Sequence, residues 1–309
     1  MRILPAAFLL LMLSGCSFFE NSDKLYQEFV EPPAHARPFV RWWWNGNQIE
    51  KNEIIRELDV LQKAGFGGVE INPIAMPENA ADIGTKAVEW LSEDWNQLLL
   101  TACREAQNRG MIADMIVGSG WPFGGEFLSP DEYLQRILIN RITFNGPVKI
   151  QYTFEQLYEQ LRDSVQQQSR WAHTEKGEQD ELFFINMVPA HAQDVSQGSD
   201  LMNLYKNKTL NYTVPDGKFK LVYGIRQQGH RKVMYGAPGA AGNVMDHYDR
   251  KVTRAYLERL LKISADTGVP LKHPLRALFC DSIELAGANW TDGFASCFRK
   301  TYGYSLEPW

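Results

Sequence analysis

The sequence predicts an α/β protein built as part of a (β/α)8 TIM-type barrel, with a β-rich insertion after the third βα unit. Three observations carry that prediction. Strand-like runs and helical periodicity alternate three times in succession after Pro38. The connections between them are short, as parallel strands covered by helices require. Strand-like pieces then crowd together from about Ile139 to Gly236 before the α/β pattern resumes. A doubly wound sheet is the alternative fold, but no glycine-rich phosphate turn follows the first strand, where a nucleotide-binding version would keep it.

Residues 1–24 read as a lipoprotein signal peptide and tether. After Arg2 comes an apolar run, Ile3 to Leu13, too short to cross a bilayer as a helix. It ends in Leu13-Ser14-Gly15-Cys16, which resembles a bacterial lipobox. Cleavage ahead of Cys16 and lipidation of that cysteine would hold the mature protein at the bacterial cell envelope, in the periplasm or on the outer-membrane surface, by acyl chains and not by a helix. An ordinary secretory signal with a chance cysteine is the alternative.

The first part of the barrel is expected over residues 25–138. Phe39 to Trp44 reads as a strand, and its RWWWNG stretch puts Trp42 and Trp44 on one face and Trp43 on the other. Ile54, Ile55, Leu58 and Leu61 recur at helical spacing before Gly65, and FGGVEIN (Phe66 to Asn72) is the second strand. Ser92 can cap a helix whose apolar face carries Trp95, Leu98, Leu99, Ala102 and Ala106, and Met111 to Val117 is the third strand. Ser129-Pro130-Asp131-Glu132 has the composition of a helix start.

The β-rich insertion is expected over residues 139–236, around one polar helix from Glu155 to Gln168, with Pro215-Asp216-Gly217 as a hairpin turn. Residues 237–309 continue the barrel. A helix is predicted over Tyr248 to Asp266, an apolar strand over Leu275 to Asp281, and a last helix over Thr291 to Tyr302, closed by Gly303. At most five barrel strands are counted where a barrel needs eight, so the chain is expected to be truncated at the C-terminus.

The 309 residues carry a net charge of −5 and contain 9 Trp, 12 Tyr and 16 Phe. That acidity, without a Lys/Arg stripe, argues against a nucleic-acid partner, while the aromatic content suits flat, partly apolar ligands. Cys103, Cys280 and Cys297 lack C-x-x-C spacing; Cys103 and Cys297 fall on apolar helix faces and Cys280 in an apolar strand, so all three are expected to be buried thiols, with a disulfide as the alternative.

In a parallel sheet the C-terminal strand ends share one rim, where barrel enzymes build their sites. Those ends supply Trp44 and Asn45, then Glu70 and Asn72, then Trp121, with Asp246 and His247 ahead of a later helix, and Asp281, Ser282 and Glu284 after the last strand. Acids, amides and indoles together suit a sugar, whose cleavage needs two carboxyl groups. Glu284 is the foremost catalytic candidate, with a salt-bridged surface glutamate as the bland reading. Glu70 is as well explained as a cap as by ligand binding, and His247 is better explained as a structural histidine than as a dyad with Asp246.

RPFVRWWWNG with GFGGVEI, then GSGWPFGG, VMDHYDRKVTRAYL and DSIELAGANWTDGFASCFRKTYGYSLEPW resemble, in order, the bacterial α-L-rhamnosidases of glycoside hydrolase family 106. The resemblance runs from about Pro32 to the end, loosely in the β-rich stretch. It implies a (β/α)8 catalytic barrel, inverting hydrolysis of terminal α-L-rhamnosyl linkages by a glutamate pair, calcium at the sugar site, and a rhamnose-containing polysaccharide or oligosaccharide as substrate. Glu284 falls where an acidic catalytic residue is expected. The second carboxylate and most calcium ligands are expected beyond Trp309. Trp44 and Trp121 would pack against the apolar face of a deoxysugar, with Asn45, Glu70, Asn72, Asp246, His247 and Asp281 binding hydroxyls; the alternative is that the three tryptophans of RWWWNG are all structural. A barrel glycosidase for another sugar and a noncatalytic glycan-binding lipoprotein are the competing readings.

Overall fold

A computed structural model of the chain describes residues 22–81, 84–168, 177, 179–273 and 275–306. Cys16 and the rest of the expected signal lie outside the described residues. A helix, α1, covers residues 22–30. There follow β1 (Phe39–Asn45), α2 (Lys51–Lys63), β2 (Gly68–Ile74), α3 (Glu93–Asn108), β3 (Ile112–Ile116), β4 (Gly124–Gly125), β5 (Gln135–Thr153), α4 (Phe154–Gln168) and β6 (Glu181–Pro189). The short strands β7 (Ser199–Asp200) and β8 (Tyr205–Lys206) precede β9 (Thr209–Gln228) and β10 (Asn243–Val244), and the chain continues through α5 (Arg250–Glu258), α6 (Leu261–Thr267), β11 (Ala277–Phe279) and α7 (Phe294–Tyr302). Two compact units result, one within Met1–Val117 and Leu261–Cys280, the other within Gly118–Leu260 and Asp281–Trp309.

The first unit is a parallel sheet in the order β1-β2-β3-β11. It is open: four parallel strands are present among the described residues, and no closed barrel. Alternation sorts its side chains. Trp42, Trp44, Val69, Ile71, Ala113 and Met115 are all buried on one face, the same environment as Ile54 and Leu58 of α2 and Trp95 and Leu99 of α3. The Trp44 ring meets Trp42 and Trp95 edge-on, with centroids 5.7 and 5.6 Å away. α3 starts where expected, since the Ser92 hydroxyl accepts the Trp95 N–H. The other face is polar, because the parallel register lines up Arg41, Glu70, Asp114 and Ala277 across the four strands.

The second unit is an antiparallel sheet in the order β5-β9-β6-β7, with β8 also paired to β9. Helix α4 lays Phe154, Leu157, Tyr158 and Leu161 into a core with Ile150, Ile185, Leu210, Leu221, Tyr223 and Ile225. The Tyr223 hydroxyl donates to the Leu157 carbonyl across 2.8 Å, fixing helix to sheet.

Several local expectations are corrected. Pro215-Asp216-Gly217 is no hairpin turn. β9 runs straight through it and pairs with β5 from Thr153–Thr209 to Gln135–Gln228, absorbing the extra residues as a register shift between Gly146 and Val148. The helix start at Ser129 gives only a single 3-10 turn, Pro130–Glu132. The Glu132 carboxylate does accept the Ser129 N–H at 2.9 Å, but the Leu134 N–H goes to the Val244 carbonyl and β5 begins, so strand pairing outcompetes helix propagation. The single helix expected over Tyr248 to Asp266 is two, parted where Arg259 and Leu260 bond back three residues to Tyr256 and Leu257. Of the three thiols expected to be buried, only Cys103 is; Cys280, which follows the end of β11, and Cys297, on α7, are exposed.

Candidate active site

On the polar face of the parallel sheet, Glu70 lies 3.6 Å from Arg41, a partner the sequence alone did not single out. The Arg41 guanidinium sits 5.7 Å from the ring centroids of both Trp43 and Phe279. Asp114, 5 % exposed, takes both Arg276 donors on the same face, with Nε–Oδ1 at 3.0 Å. A continuous row of charge and aromatic surface therefore crosses β1, β2, β3 and β11. Asn45 is exposed at the C-terminal end of β1, whereas Asn72 is buried and its Nδ2 donates to the Glu70 carbonyl at 2.9 Å. Trp44, expected to offer a ring to a ligand, is 2 % exposed and packed on the helix-covered face; Trp43, 39 % exposed, is the indole that faces outward. The period of two placed these rings, but it could not say which sheet face the helices cover.

The second unit holds the other candidates. The glycine-rich GSGWPFGG turn is glycine-rich for steric reasons. A Cβ on Gly118 would lie 2.4 Å from the Phe123 ring, and Gly120, at φ +62°, approaches the Met234 carbonyl so closely that a Cβ would come within 2.3 Å. This turn sets Trp121 beside Tyr235, with centroids 5.6 Å apart.

Asp246 is 1 % exposed, and both of its oxygens are engaged: Oδ1 accepts the Tyr248 N–H at 2.9 Å and Oδ2 accepts the Thr291 hydroxyl at 2.7 Å. Burial raises its pKa above the ordinary carboxylate range, against the lowering effect of those hydrogen bonds. His247 forms no dyad with it. His247 Nδ1 lies 2.8 Å from the Met245 carbonyl, and since a carbonyl only accepts, the ring carries its proton on Nδ1. Burial holds this imidazole below its usual pKa, and its face stacks on Phe123 at 6.5 Å.

The DSIELAGANWTDG loop is fastened to the second unit at successive points. Leu285 and Ala288 pack on Leu134, Val233 and Val244. Gly287, at φ +84°, passes over the buried Arg136 guanidinium, leaving room for no more than a tight Cβ 3.2 Å from Nη1. Asn289 brackets one residue of β5, its Oδ1 accepting the Ile137 N–H at 2.7 Å and its Nδ2 donating to the Ile137 carbonyl at 3.0 Å. Thr291 reaches Asp246, and Asp292 pairs with Arg226 at 3.0 Å. Glu284 stands exposed on this anchored loop, accepting from the Ser282 hydroxyl at 3.2 Å with Arg231 3.9 Å away. Asp281, half-buried, accepts the Ser282 N–H at 2.8 Å. Arg231, Asn289 and Thr291 are partners that sequence reasoning missed, because no periodicity links residues about 45 to 150 positions apart.

Among the described residues no three His, Cys, Asp or Glu side chains converge on a point that could hold a metal ion. Most ligands of the calcium implied by the family resemblance are expected beyond Trp309, and the carboxylates described above are engaged by protein donors and cations.

The sequence profile of glycoside hydrolase family 106, described as alpha-L-rhamnosidase, matches residues 30–184 and 185–309. A Formosa agariphila protein provisionally named a beta-glucuronidase is 26% identical over 343 residues, an alignment taking in 99% of this chain and 28% of the relative. Among solved structures, a rhamnosidase from Novosphingobium sp. PP1Y superposes with a TM-score of 0.58 at 15% identity, over 92% of this chain and 42% of the other. The chain thus spans less than half the length of each of these two proteins.

Proposed function

Because the family profile covers nearly all of it, the chain belongs to glycoside hydrolase family 106, and from that premise we propose that it supplies the first part of a glycosidase that cleaves terminal α-L-rhamnosyl linkages in glycans. The observation that carries this reading is the fastening of the DSIELAGANWTDG loop, which holds Glu284 at an exposed position on a rigid support. In this proposal Glu284 is one of the two carboxyl groups. In an inverting reaction one protonates the leaving glycosidic oxygen while the other takes a proton from water, whose oxygen bonds to the anomeric carbon as the C–O bond breaks. Ser282 and Arg231 keep the Glu284 carboxylate in place.

The same reading takes the four parallel strands as part of a (β/α)8 barrel. Their parallel order, and the placement of β11 beside β3 after the long β-rich stretch, support it. Cys16 is proposed as a lipid anchor at the cell envelope, supported by the Leu13-Ser14-Gly15-Cys16 sequence. A second reading keeps the glycosidase and changes the sugar, and the name of the Formosa relative favours it.

The test is turnover of an aryl α-L-rhamnoside, beside an aryl β-glucuronide, by the protein that carries this chain. Glu284→Gln is expected to lower kcat by about a hundredfold or more with the fold intact. Unchanged kcat in the variant would remove Glu284 from the mechanism, and turnover of the glucuronide alone would replace rhamnose as the substrate.

A further inference from the structure

The β-rich unit contains an open pocket of about 470 Å3 on the face of its antiparallel sheet turned away from α4 and the main core. Its volume falls in the range of small-molecule sites. Three aromatic rings line one side in an edge-to-face series, Phe183 to Trp290 with centroids at 5.1 Å and Trp290 to Phe294 at 5.2 Å. Phe294 is 39% exposed. Arg141 and Lys220 line the same pocket. The register puts Val222 opposite Arg141, so Lys220, two residues before Val222 and on the same face, is the diagonal neighbour of Arg141, roughly 7–8 Å away.

Neither cation forms an ion pair among the described residues, although the chain as a whole is acidic, with a net charge of −5. The nearby Asp194 does not neutralise them. Its carboxylate accepts from the Ser196 N–H at 3.0 Å, and also from the Ser196 hydroxyl and Gln197 Nε2. Two cations side by side next to a wall of indole and phenyl rings are suited to one kind of ligand. A pyranose can lay its C–H face on Trp290 while an anionic substituent bridges Arg141 and Lys220. A purely apolar partner would leave both cations desolvated without compensation.

We infer that this pocket is a binding site for an acidic saccharide, one bearing a carboxylate or a sulfate ester, which holds a charged part of the glycan through the β-rich unit. The ligand class rests on the carbohydrate reading above, but the site uses neither Glu284 nor the polar face of the parallel sheet. It can therefore fail while that reading stands.

The test is calorimetric titration of the full chain with trigalacturonate, galactose 6-sulfate and neutral xylotriose, each at low and high salt. Binding of either anionic probe at least tenfold tighter than xylotriose, weakened by salt, is expected, and the preferred anion tells carboxylate from sulfate recognition. The double variant Arg141→Gln/Lys220→Gln is expected to bind the preferred probe about tenfold or more weakly, whereas Lys51→Gln on α2 is expected to bind like the parent. Circular dichroism establishes that both variants are folded. Equal binding of all three probes, no binding of either anion, or undiminished binding by the double variant would each overturn the assignment.

Discussion

The Thr291 hydroxyl donates to Asp246 Oδ2 at 2.7 Å, joining the loop ahead of α7 to the turn ahead of α5. A carboxylate that is 1 % exposed depends on such donors. Thr291→Val keeps the shape and deletes the donor, so it is expected to destabilise the fold by about 1.5–3 kcal/mol, while Thr291→Ser retains most of the stability. Denaturant titration of the three proteins checks this, and equal midpoints would show the bond to be dispensable.

Asp246 also makes a pH-dependent contribution. Its pKa in the folded protein is raised, with burial the leading cause. The folded state therefore keeps this proton to higher pH than the unfolded chain does. Stability is unaffected by the group below the ordinary aspartate pKa and falls as pH rises from there through the raised value. Asp246→Asn removes that loss. The stability of the parent relative to the variant is expected to be lower at pH about 7 than at about 3.5. A difference that grows in favour of the parent with rising pH would contradict it.

Trp44 and Trp43 adjoin in sequence yet are 2 % and 39 % exposed. Trp44→Ala opens a cavity between Trp42 and Trp95 and is expected to cost about 3–5 kcal/mol. Trp43→Ala is expected to cost less than about 1.5 kcal/mol, the loss of a partly exposed ring beside Arg41. Thermal unfolding of the two variants should rank them in that order.

The cysteines divide the same way. Burial pushes the Cys103 thiol up to about 12, while Cys280 and Cys297 are exposed. Peptide-resolved iodoacetamide labelling of the native chain is expected to modify the latter two at least about a hundredfold faster than Cys103, with the difference abolished in denaturant. Rapid native labelling of Cys103 would mean that α3 opens readily.

Local patterns carried a good part of the fold. β1, α2, β2, α3 and β3 fall within a few residues of their expected places, because each needs only its own periodicity and a stop such as Gly65 or Gly110. Where a local signal competed with strand pairing, it lost. Ser129-Pro130-Asp131-Glu132 made a turn and not a helix, and Pro215-Asp216-Gly217 became an irregularity inside a 20-residue strand, since an unbroken ladder with β5 satisfies more backbone groups than an early turn would.

The candidate site was legible as a set of residues and illegible as a set of contacts. Glu284, Asp281, Asp246 and Trp121 could be picked out as chemistry near strand ends and turns. That Asp246 answers to Thr291, that Arg231 faces Glu284, and that Asn289 grips the Ile137 backbone depend on pairs remote along the chain.

By itself the sequence determined which segments are strands and helices over most of the parallel sheet, and it placed Trp42 and Trp44 on the face opposite Trp43, because a strand alternates its side chains whatever surrounds it. Only the tertiary structure decided which of those faces the helices would seal, and which acids would be buried with donors or left exposed on a fastened loop. Burial and hydrogen-bond satisfaction depend on neighbours that folding alone brings together.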